Sequence, residues 1–252
     1  MATSVALITG ASAGLGVDFA RQLSAQGKRL VLVARRKDRL DALAAELGNA
    51  RTIDLDLSEP GAVDRLTADL AAHGEQVDLL VNNAGFGLTG LFTQLDGQRQ
   101  RQMIDLNCGA LTELAHAVLP GMIERKSGAI LNVASTAAFQ PGPGMAVYFA
   151  TKAFVLSFTE ALHEEVKRHA VTVSALCPGP TATEFGEVAG FGPSNLLGKI
   201  AADSPSVVRA GLEGLEKGKA VIIPGLMNKS TAQAHRFFPR SWVRKAAGML
   251  KP

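Results

Sequence analysis

The sequence predicts an α/β fold with a doubly wound parallel sheet that is covered by helices on both faces. Short and almost continuously apolar segments alternate with amphipathic segments of helical length. Continuous apolar strands separated by helices are typical of a parallel sheet buried on both faces. The chain of 252 residues suits one large domain, and its hydrophobic fraction of 47% is sufficient for a sizeable core. We therefore expect a folded single domain rather than a disordered chain.

The predicted elements follow one another in a regular order. Strands are predicted at residues 5–8, 30–33, 77–81, 129–133, 171–176 and 220–223. Helices are predicted after the glycine-rich loop that ends at residue 16 and at residues 38–47, 60–73, 111–125 and 148–169. No repeat, low-complexity segment or linker-like stretch occurs before residue 184. The domain is predicted to cover residues 1–225.

Two segments do not fit the alternating pattern. Residues 184–204 combine glycines with apolar side chains, which is typical either of a mobile lid or of an ordinary surface loop with a short helix. Residues 226–252 form an amphipathic tail with six Lys or Arg residues, several aromatic residues and no acid. Because the whole chain has a formal net charge of only +3, the basic balance belongs to this tail, and no nucleic-acid partner is predicted. The tail suits a membrane surface, its own domain or a partner subunit.

Composition also argues against several classes of protein. The two cysteines, Cys108 and Cys177, have no paired spacing and no histidine cluster nearby, so neither a disulfide framework nor a metal site is predicted. The sequence contains no run of about 18 apolar residues, so no transmembrane helix is predicted. The N-terminus lacks the basic region and cleavage site of a secretory signal. These features favour a cytoplasmic protein.

A glycine-rich loop follows the first predicted strand and precedes a helix. Gly10, Gly14 and Gly16 would let the backbone turn tightly and approach a pyrophosphate, while the helix start would favour its negative charge. Glycines also mark ordinary strand-to-helix turns. The position of this loop after the first strand nevertheless favours a dinucleotide site.

The end of the second predicted strand indicates which dinucleotide is bound. An NAD site usually places an acid here, whereas this strand ends in Arg35 and Arg36 with no carboxylate before Asp38. A guanidinium group can bind a 2′-phosphate through two hydrogen bonds. The arginines predict NADP, although they also suit the exposed start of the next helix.

The one tyrosine of the chain, Tyr148, is followed four residues later by Lys152. On a helix these side chains share a face, so the ammonium is expected to lower the tyrosine pKa and to create a general acid and base. Such a pair also occurs by chance on amphipathic helices. Ser135, at the end of the strand that precedes this helix, adds a hydroxyl at the carboxyl edge of the sheet, where α/β proteins bind ligands. Residues 82–85 and 178–183 follow two other predicted strands at the same edge.

Taken together, these motifs resemble those of the short-chain dehydrogenase/reductase family from residue 5 to about residue 223. The resemblance implies a Rossmann-like fold in which Tyr148 is the catalytic acid and base and Ser135 binds the substrate oxygen. It implies that Lys152 lowers the tyrosine pKa and binds the nicotinamide ribose, and that Asn107 holds a water that links Lys152 to solvent. It further implies pairing into a homodimer or homotetramer through helices 111–125 and 148–169.

The resemblance also implies a cofactor site. This chain departs from the family pattern at two places. Ala13 stands where Ser or a basic residue is common, and Ser135 is a single serine, in Ala-Ser-Thr. The cofactor-binding residues implied are Gly10, Ser12, Ala13, Gly14, Leu15, Gly16, Arg35, Arg36, Asp56, Leu57, Asn83, Ala84, Gly85, Tyr148, Lys152, Pro178, Gly179, Thr181 and Thr183.

The sequence therefore predicts an NADP-dependent oxidoreductase that transfers a hydride between nicotinamide and a carbonyl or alcohol. Four phenylalanines could line a hydrophobic substrate pocket or belong to the core: Phe139, Phe149, Phe185 and Phe191. The alternative function is a non-catalytic NADP-binding sensor, which would need no proton donor.

Overall fold

The computed structural model describes residues 2–190, 201–234 and 238–249. Within these residues, seven strands form one parallel sheet in the order β3-β2-β1-β4-β5-β6-β7. The chain adds strands outward from β1 in one direction and then, from β4, in the other, so the topological switch lies between β1 and β4. This order confirms the doubly wound, Rossmann-like fold. The strands are β1 Thr3–Thr9, β2 Leu30–Ala34, β3 Ala50–Asp54, β4 Glu75–Asn82, β5 Gly128–Val133, β6 Val171–Leu176 and β7 Val221–Ile222.

Helices cover both faces of the sheet. Successive residues of β1, Leu7 and Ile8, are fully buried in two different apolar clusters, because neighbouring side chains of a strand point to opposite faces. One cluster includes α1 and α8, and the other includes α3 and α5. The helices are α1 Leu15–Ala25, α2 Lys37–Leu47, α3 Ala62–Ala72, α4 Gly97–Ile104, α5 Leu111–Glu124, α6 Ala146–Val166, α7 Phe185–Val188, α8 Ser204–Glu216, α9 Leu226–Ala234 and α10 Arg240–Met249.

Some elements were not predicted from the sequence. Strand β3 has the sequence Ala-Arg-Thr-Ile-Asp and lies at the edge of the sheet, where its side chains are partly exposed and need not be apolar. Helix α4 is polar and buries only Gln100 and Met103 among its residues. Helix α8 contains Gly211 and Gly214, which lower helix propensity and obscure the pattern.

The two irregular segments are partly described. Helix α7 lies in the predicted lid at 184–204, whereas residues 191–200, and with them Phe191, lie outside the described residues. The tail contains α9 and α10, and a Cβ atom at Gly179 would overlap the side chain of Asn228 of α9. The tail therefore contacts its own domain beside the 178–183 segment, while Leu226 and Trp242 stay exposed. A domain boundary at residue 225 stays a prediction. In the described part of the chain, no helix is long and apolar enough to cross a membrane.

A chain of buried amide and hydroxyl groups connects β4, β5 and α6. Asn82 donates to the side-chain oxygen of Asn132 at 2.9 Å, and Asn132 donates to the Thr159 hydroxyl at 3.0 Å. Thr159 in turn donates to the Val155 carbonyl. Asn82, Asn132 and Thr159 are each at most 3% exposed. Their hydrogen bonds offset the free-energy cost of burying polar groups.

Candidate active site

The polar segments that follow three strands meet at the carboxyl edge of the sheet. Ser135 comes two residues after β5, Asn83 comes directly after β4, and Pro178 comes two residues after β6. The Thr136 amide donates to the Pro178 carbonyl at 2.9 Å, which holds the β5 and β6 ends together. The predicted convergence of these segments is therefore observed.

Ser135 and Tyr148 form the centre of this site. Tyr148 lies in the first turn of α6 and is 8% exposed, and the Ser135 side chain is near enough to its phenol to lower the pKa of that group. The Ser135 oxygen also accepts from the Ala137 amide at 3.1 Å, which fixes the hydroxyl at the start of a 3-10 turn. The two hydroxyl groups are thus placed to contact one substrate oxygen together.

The Tyr148 pKa differs from the sequence-based expectation. Burial raises the pKa of Tyr148 to about 12, against the opposing effect of the nearby Ser135 hydroxyl. Lys152 does not compensate, because its ammonium donates to the Val133 carbonyl at 2.7 Å and lies 5.9 Å from the centre of the tyrosine ring. Burial also lowers the pKa of Lys152 to about 8. At neutral pH the phenol is therefore protonated and can donate a proton.

Asn107 lies in a π-helical turn, Asp105–Ala110, between α4 and α5. Its amide nitrogen donates to the Phe86 carbonyl at 3.0 Å and to the Thr151 hydroxyl at 3.1 Å, and its oxygen accepts from the Phe86 amide. A Cβ atom at Gly85 would lie 2.9 Å from that oxygen and 3.7 Å from the Lys152 nitrogen. The segment after β4 is therefore held against Asn107 and Lys152. The water predicted at Asn107 stays a prediction.

The glycine-rich loop is shaped by close backbone packing. Gly10 has a positive φ of 66°, and a Cβ atom there would lie 2.9 Å from the Ala84 Cα atom. A Cβ atom at Gly16 would collide with the Gly10 carbonyl oxygen, so α1 starts as close to the loop as its backbone permits. Asn83 donates to the Thr9 carbonyl at 2.9 Å and supports the loop from β4. Ser12, Ala13, Gly14 and Leu15 complete a half-buried loop at the start of α1.

The predicted arginines lie at the end of β2. Arg35 is 3.4 Å from a carboxylate oxygen of Asp56, whose other oxygen accepts from the Ser58 amide and hydroxyl; the adjacent Leu57 is buried. Arg36 donates to the hydroxyl of Ser12 at 3.2 Å and to its carbonyl at 3.3 Å. The second strand is thereby connected to the glycine-rich loop through Arg36.

The segment from Pro178 to Thr183 faces the glycine-rich loop. Thr181 donates to the Gly179 carbonyl at 3.0 Å, and Thr183 lies so near Gly14 that a Cβ atom on the glycine would be 3.0 Å from the Thr183 Cβ. The two segments therefore form opposite sides of one site.

Sequence reasoning missed two charged residues here. Glu184 accepts from Arg36 at 3.0 Å and from Arg39 at 2.6 Å. The spacing of Arg36 and Arg39 was a usable signal, because residues three apart around a helix start lie on one side. No local pattern indicated Glu184, which lies 148 residues from Arg36 in the chain.

Three of the four phenylalanines singled out in the sequence lie among the described residues, and their surroundings differ. The ring centres of Phe185 and Phe149 lie 5.3 Å and 6.1 Å from that of Tyr148. Phe86 and Met145 belong to the same apolar cluster. Phe139 instead packs with Val155 and Cys177 in a separate cluster. Apolar side chains therefore surround the phenol, and Phe139 is not among them.

These residues fit a dinucleotide. The glycine-rich loop has space that a Cβ atom would fill, its backbone leads into the start of α1, and cationic side chains lie at the end of β2. The loop would hold the pyrophosphate and the arginines the ribose end. Among the described residues, no group of three His, Cys, Asp or Glu side chains is arranged to hold a metal ion.

Known proteins resemble this chain in sequence and in fold. The family model for short chain dehydrogenases matches residues 4–190. The NADP-dependent 3-hydroxy acid dehydrogenase YdfG of Salmonella typhi is 40% identical over 199 residues, which are 77% of this chain and 80% of that protein. A short-chain dehydrogenase from Sphingobium yanoikuyae in complex with NADPH is 36% identical, with a TM-score of 0.82 over 93% of this chain and 92% of the other. The bulky-bulky ketone specific alcohol dehydrogenase of Comamonas testosteroni is 31% identical, with a TM-score of 0.77 over 94% of this chain and 93% of the other. The chain therefore belongs to the short-chain dehydrogenase/reductase family of oxidoreductases.

Proposed function

We propose that this protein is an NADP-dependent reductase or dehydrogenase that acts on a hydrophobic carbonyl or alcohol. The observation that carries the proposal is the pairing of a protonated Tyr148 with Ser135 at the sheet edge that also holds the glycine-rich loop. A protein that only bound the cofactor would have no use for a buried proton donor at this place.

We propose the following roles for the residues of the site. The nicotinamide, when bound, supplies or accepts the hydride. Tyr148 donates a proton to the substrate oxygen in reduction and recovers one in oxidation. Ser135 donates a hydrogen bond to the same oxygen and stabilises its developing negative charge. Lys152, one helical turn from Tyr148, places a positive charge near the phenolate that forms. We also propose that Lys152 binds the ribose and that Asn107 orders a water beside it.

Two observations support a hydrophobic substrate. Phe149 and Phe185 pack around the phenol, and Met145 and Phe86 extend the same apolar cluster. The similar protein from Comamonas testosteroni is described as specific for bulky-bulky ketones. The first assay is therefore NADPH and NADH oxidation against a panel of aldehydes, small ketones, aryl ketones and diketones. Turnover that requires NADH, or NADPH binding without turnover of any carbonyl, would contradict the proposal; the second result favours the sensor.

Arg36→Gln is expected to lower kcat/KM for NADPH by about 10- to 100-fold, because hydrogen bonds to charged groups contribute about 1.5–3 kcal/mol. The value for NADH is expected to change much less, since NADH has no 2′-phosphate. Lys37→Gln is the matched control: it removes the same charge one residue away, where the lysine is exposed and paired with Asp41. An equal loss with both cofactors in Arg36→Gln would show that Arg36 serves only to hold the loop at Ser12.

We propose further that the protein forms homo-oligomers in the cytoplasm through α4, α5 and α6. Ile104 of α4 and Phe154 of α6 are each 44% exposed, and Phe154 stacks on Phe158 with ring centres 5.9 Å apart. Phe154→Glu is expected to weaken association about 30-fold or more, since a central aromatic residue of an interface typically contributes at least 2 kcal/mol. Light scattering after gel filtration measures the mass. Leu226→Glu, in the exposed tail, is the control, and a monomeric wild type would contradict the proposal.

A further inference from the structure

Glu184 forms an ion-pair bridge between two parts of the site. Its two carboxylate oxygens accept separately from Arg36 and Arg39. These hydrogen bonds lower the pKa of Glu184, so the carboxylate is negatively charged at neutral pH. Arg36 also holds Ser12 of the glycine-rich loop. The Glu184 carboxylate, which follows the 178–183 segment, is therefore already bound to the cationic side chains beyond the end of β2.

The bridge lies where the proposed cofactor would place its own anion. An NADP site binds the 2′-phosphate with cations at the end of the second strand, and Arg36 is such a cation. A carboxylate and a phosphate both bind guanidinium groups through oxygen, so they compete for the same donors. The phosphate carries the greater negative charge.

Glu184 is also connected to the phenol. It precedes α7, and the Val188 amide donates to its carbonyl at 3.1 Å. The next residue, Phe185, has its ring centre 5.3 Å from that of Tyr148. The other end of α7 is held by the Thr89 amide, which donates to the Ala189 carbonyl at 2.9 Å. A change in the position of Glu184 would therefore act directly on the apolar side chains packed around Tyr148.

We propose that Glu184 is an intramolecular competitor of the cofactor 2′-phosphate and thereby a specificity-determining residue of the site. Binding of the 2′-phosphate to Arg36 and Arg39 displaces the Glu184 carboxylate and loosens α7 beside Tyr148. A cofactor without the phosphate leaves the bridge intact. This inference rests on the proposed NADP dependence, and it makes Arg39 a further phosphate-binding residue.

The affinities of 2′,5′-ADP and 5′-AMP isolate the adenosine end of the site. Glu184→Gln is expected to strengthen 2′,5′-ADP binding about three- to tenfold, because it removes two partly exposed ion pairs, and to leave 5′-AMP binding unchanged. Glu187→Gln, at an exposed position of α7, is the matched control and is expected to change neither affinity. Arg39→Gln is expected to weaken 2′,5′-ADP binding alone. Isothermal titration calorimetry at constant ionic strength measures all of these affinities.

Hydrogen exchange tests the connection to α7. Addition of 2′,5′-ADP to the wild type is expected to speed exchange of the Val188 amide, whereas 5′-AMP is expected to leave it unchanged. Unchanged or weaker 2′,5′-ADP binding in Glu184→Gln would overturn the inference. A wild type that binds both nucleotides equally would instead contradict the proposed NADP dependence. The two failures are therefore distinguishable.

Discussion

Replacement of Tyr148 by phenylalanine is expected to lower kcat by about 10³-fold, within the range of 10²–10⁴ that a positioned proton donor contributes. Only the hydroxyl is lost. The ring contacts with Phe149 and Phe185 remain, and Ser135 keeps its bonds to the Ala137 amide and the Pro178 carbonyl. We therefore expect an unchanged thermal midpoint and NADPH affinity. Single-turnover reduction of the best ketone of the panel measures the chemical step.

Two variants sharpen this test. Ser135→Ala should lower the same rate by about 10²-fold, because it removes one hydrogen bond to the developing oxyanion. Phe149→Leu keeps both hydroxyl groups and should act mainly on KM. If Tyr148→Phe retained more than a tenth of the wild-type rate, another group would be the proton donor. Loss of NADPH binding in the variant would show that the phenol serves the cofactor.

Replacement of Lys152 by methionine is expected to abolish turnover and, at pH 7, to raise the free energy of unfolding by about 2 kcal/mol. Burial lowers the Lys152 pKa from 10.5 to about 8, so holding the charged lysine in the folded state costs on the order of 3 kcal/mol. Methionine has a similar shape and no charge. Loss of the hydrogen bond to the Val133 carbonyl offsets about 1 kcal/mol of the gain.

The pH dependence has a definite sign. The folded chain releases the Lys152 proton near pH 8, whereas the unfolded chain keeps it until about pH 10.5. Between these values the unfolded state binds more protons, so the wild type gains stability as pH rises and approaches Lys152→Met. Urea unfolding at pH 7 and pH 9.5 measures the stability difference between the two chains, to which Tyr148 contributes equally in both. Lys217→Met, at an exposed position, should show no such change. If the stability difference between the wild type and Lys152→Met were the same at both pH values, the burial cost of the charged lysine would be refuted.

The sequence predicted the sheet well because its central strands are buried on both faces and are therefore continuously apolar. The edge strand β3 was missed because one partly exposed strand needs no such pattern. Ends of parallel strands meet by necessity, so Ser135, Asn83 and Pro178 could be brought together from the order of the elements alone.

Features that depend on three-dimensional contacts could not be predicted in this way. The bridge between Glu184 and two arginines joins residues far apart in the chain, and no periodicity encodes it. The direction of the Tyr148 pKa shift was also wrong in the sequence-based argument. Spacing of four residues places Lys152 on the same face of α6, but only the structure shows its ammonium bound to the Val133 carbonyl. Burial of the phenol then decides the sign.

The row of hydrogen bonds through Asn82, Asn132 and Thr159 has a consequence for the geometry of the site. Thr159 lies eleven residues beyond Tyr148 on α6, about 16 Å along the helix axis, and Asn132 lies three residues before Ser135. The hydrogen bond between Asn132 and Thr159 limits how far α6 can slide along β5. It thereby sets how the hydroxyl groups of Ser135 and Tyr148 face each other. The alignment of the proposed proton donor is therefore set from inside the core, and does not depend on the apolar side chains around the phenol.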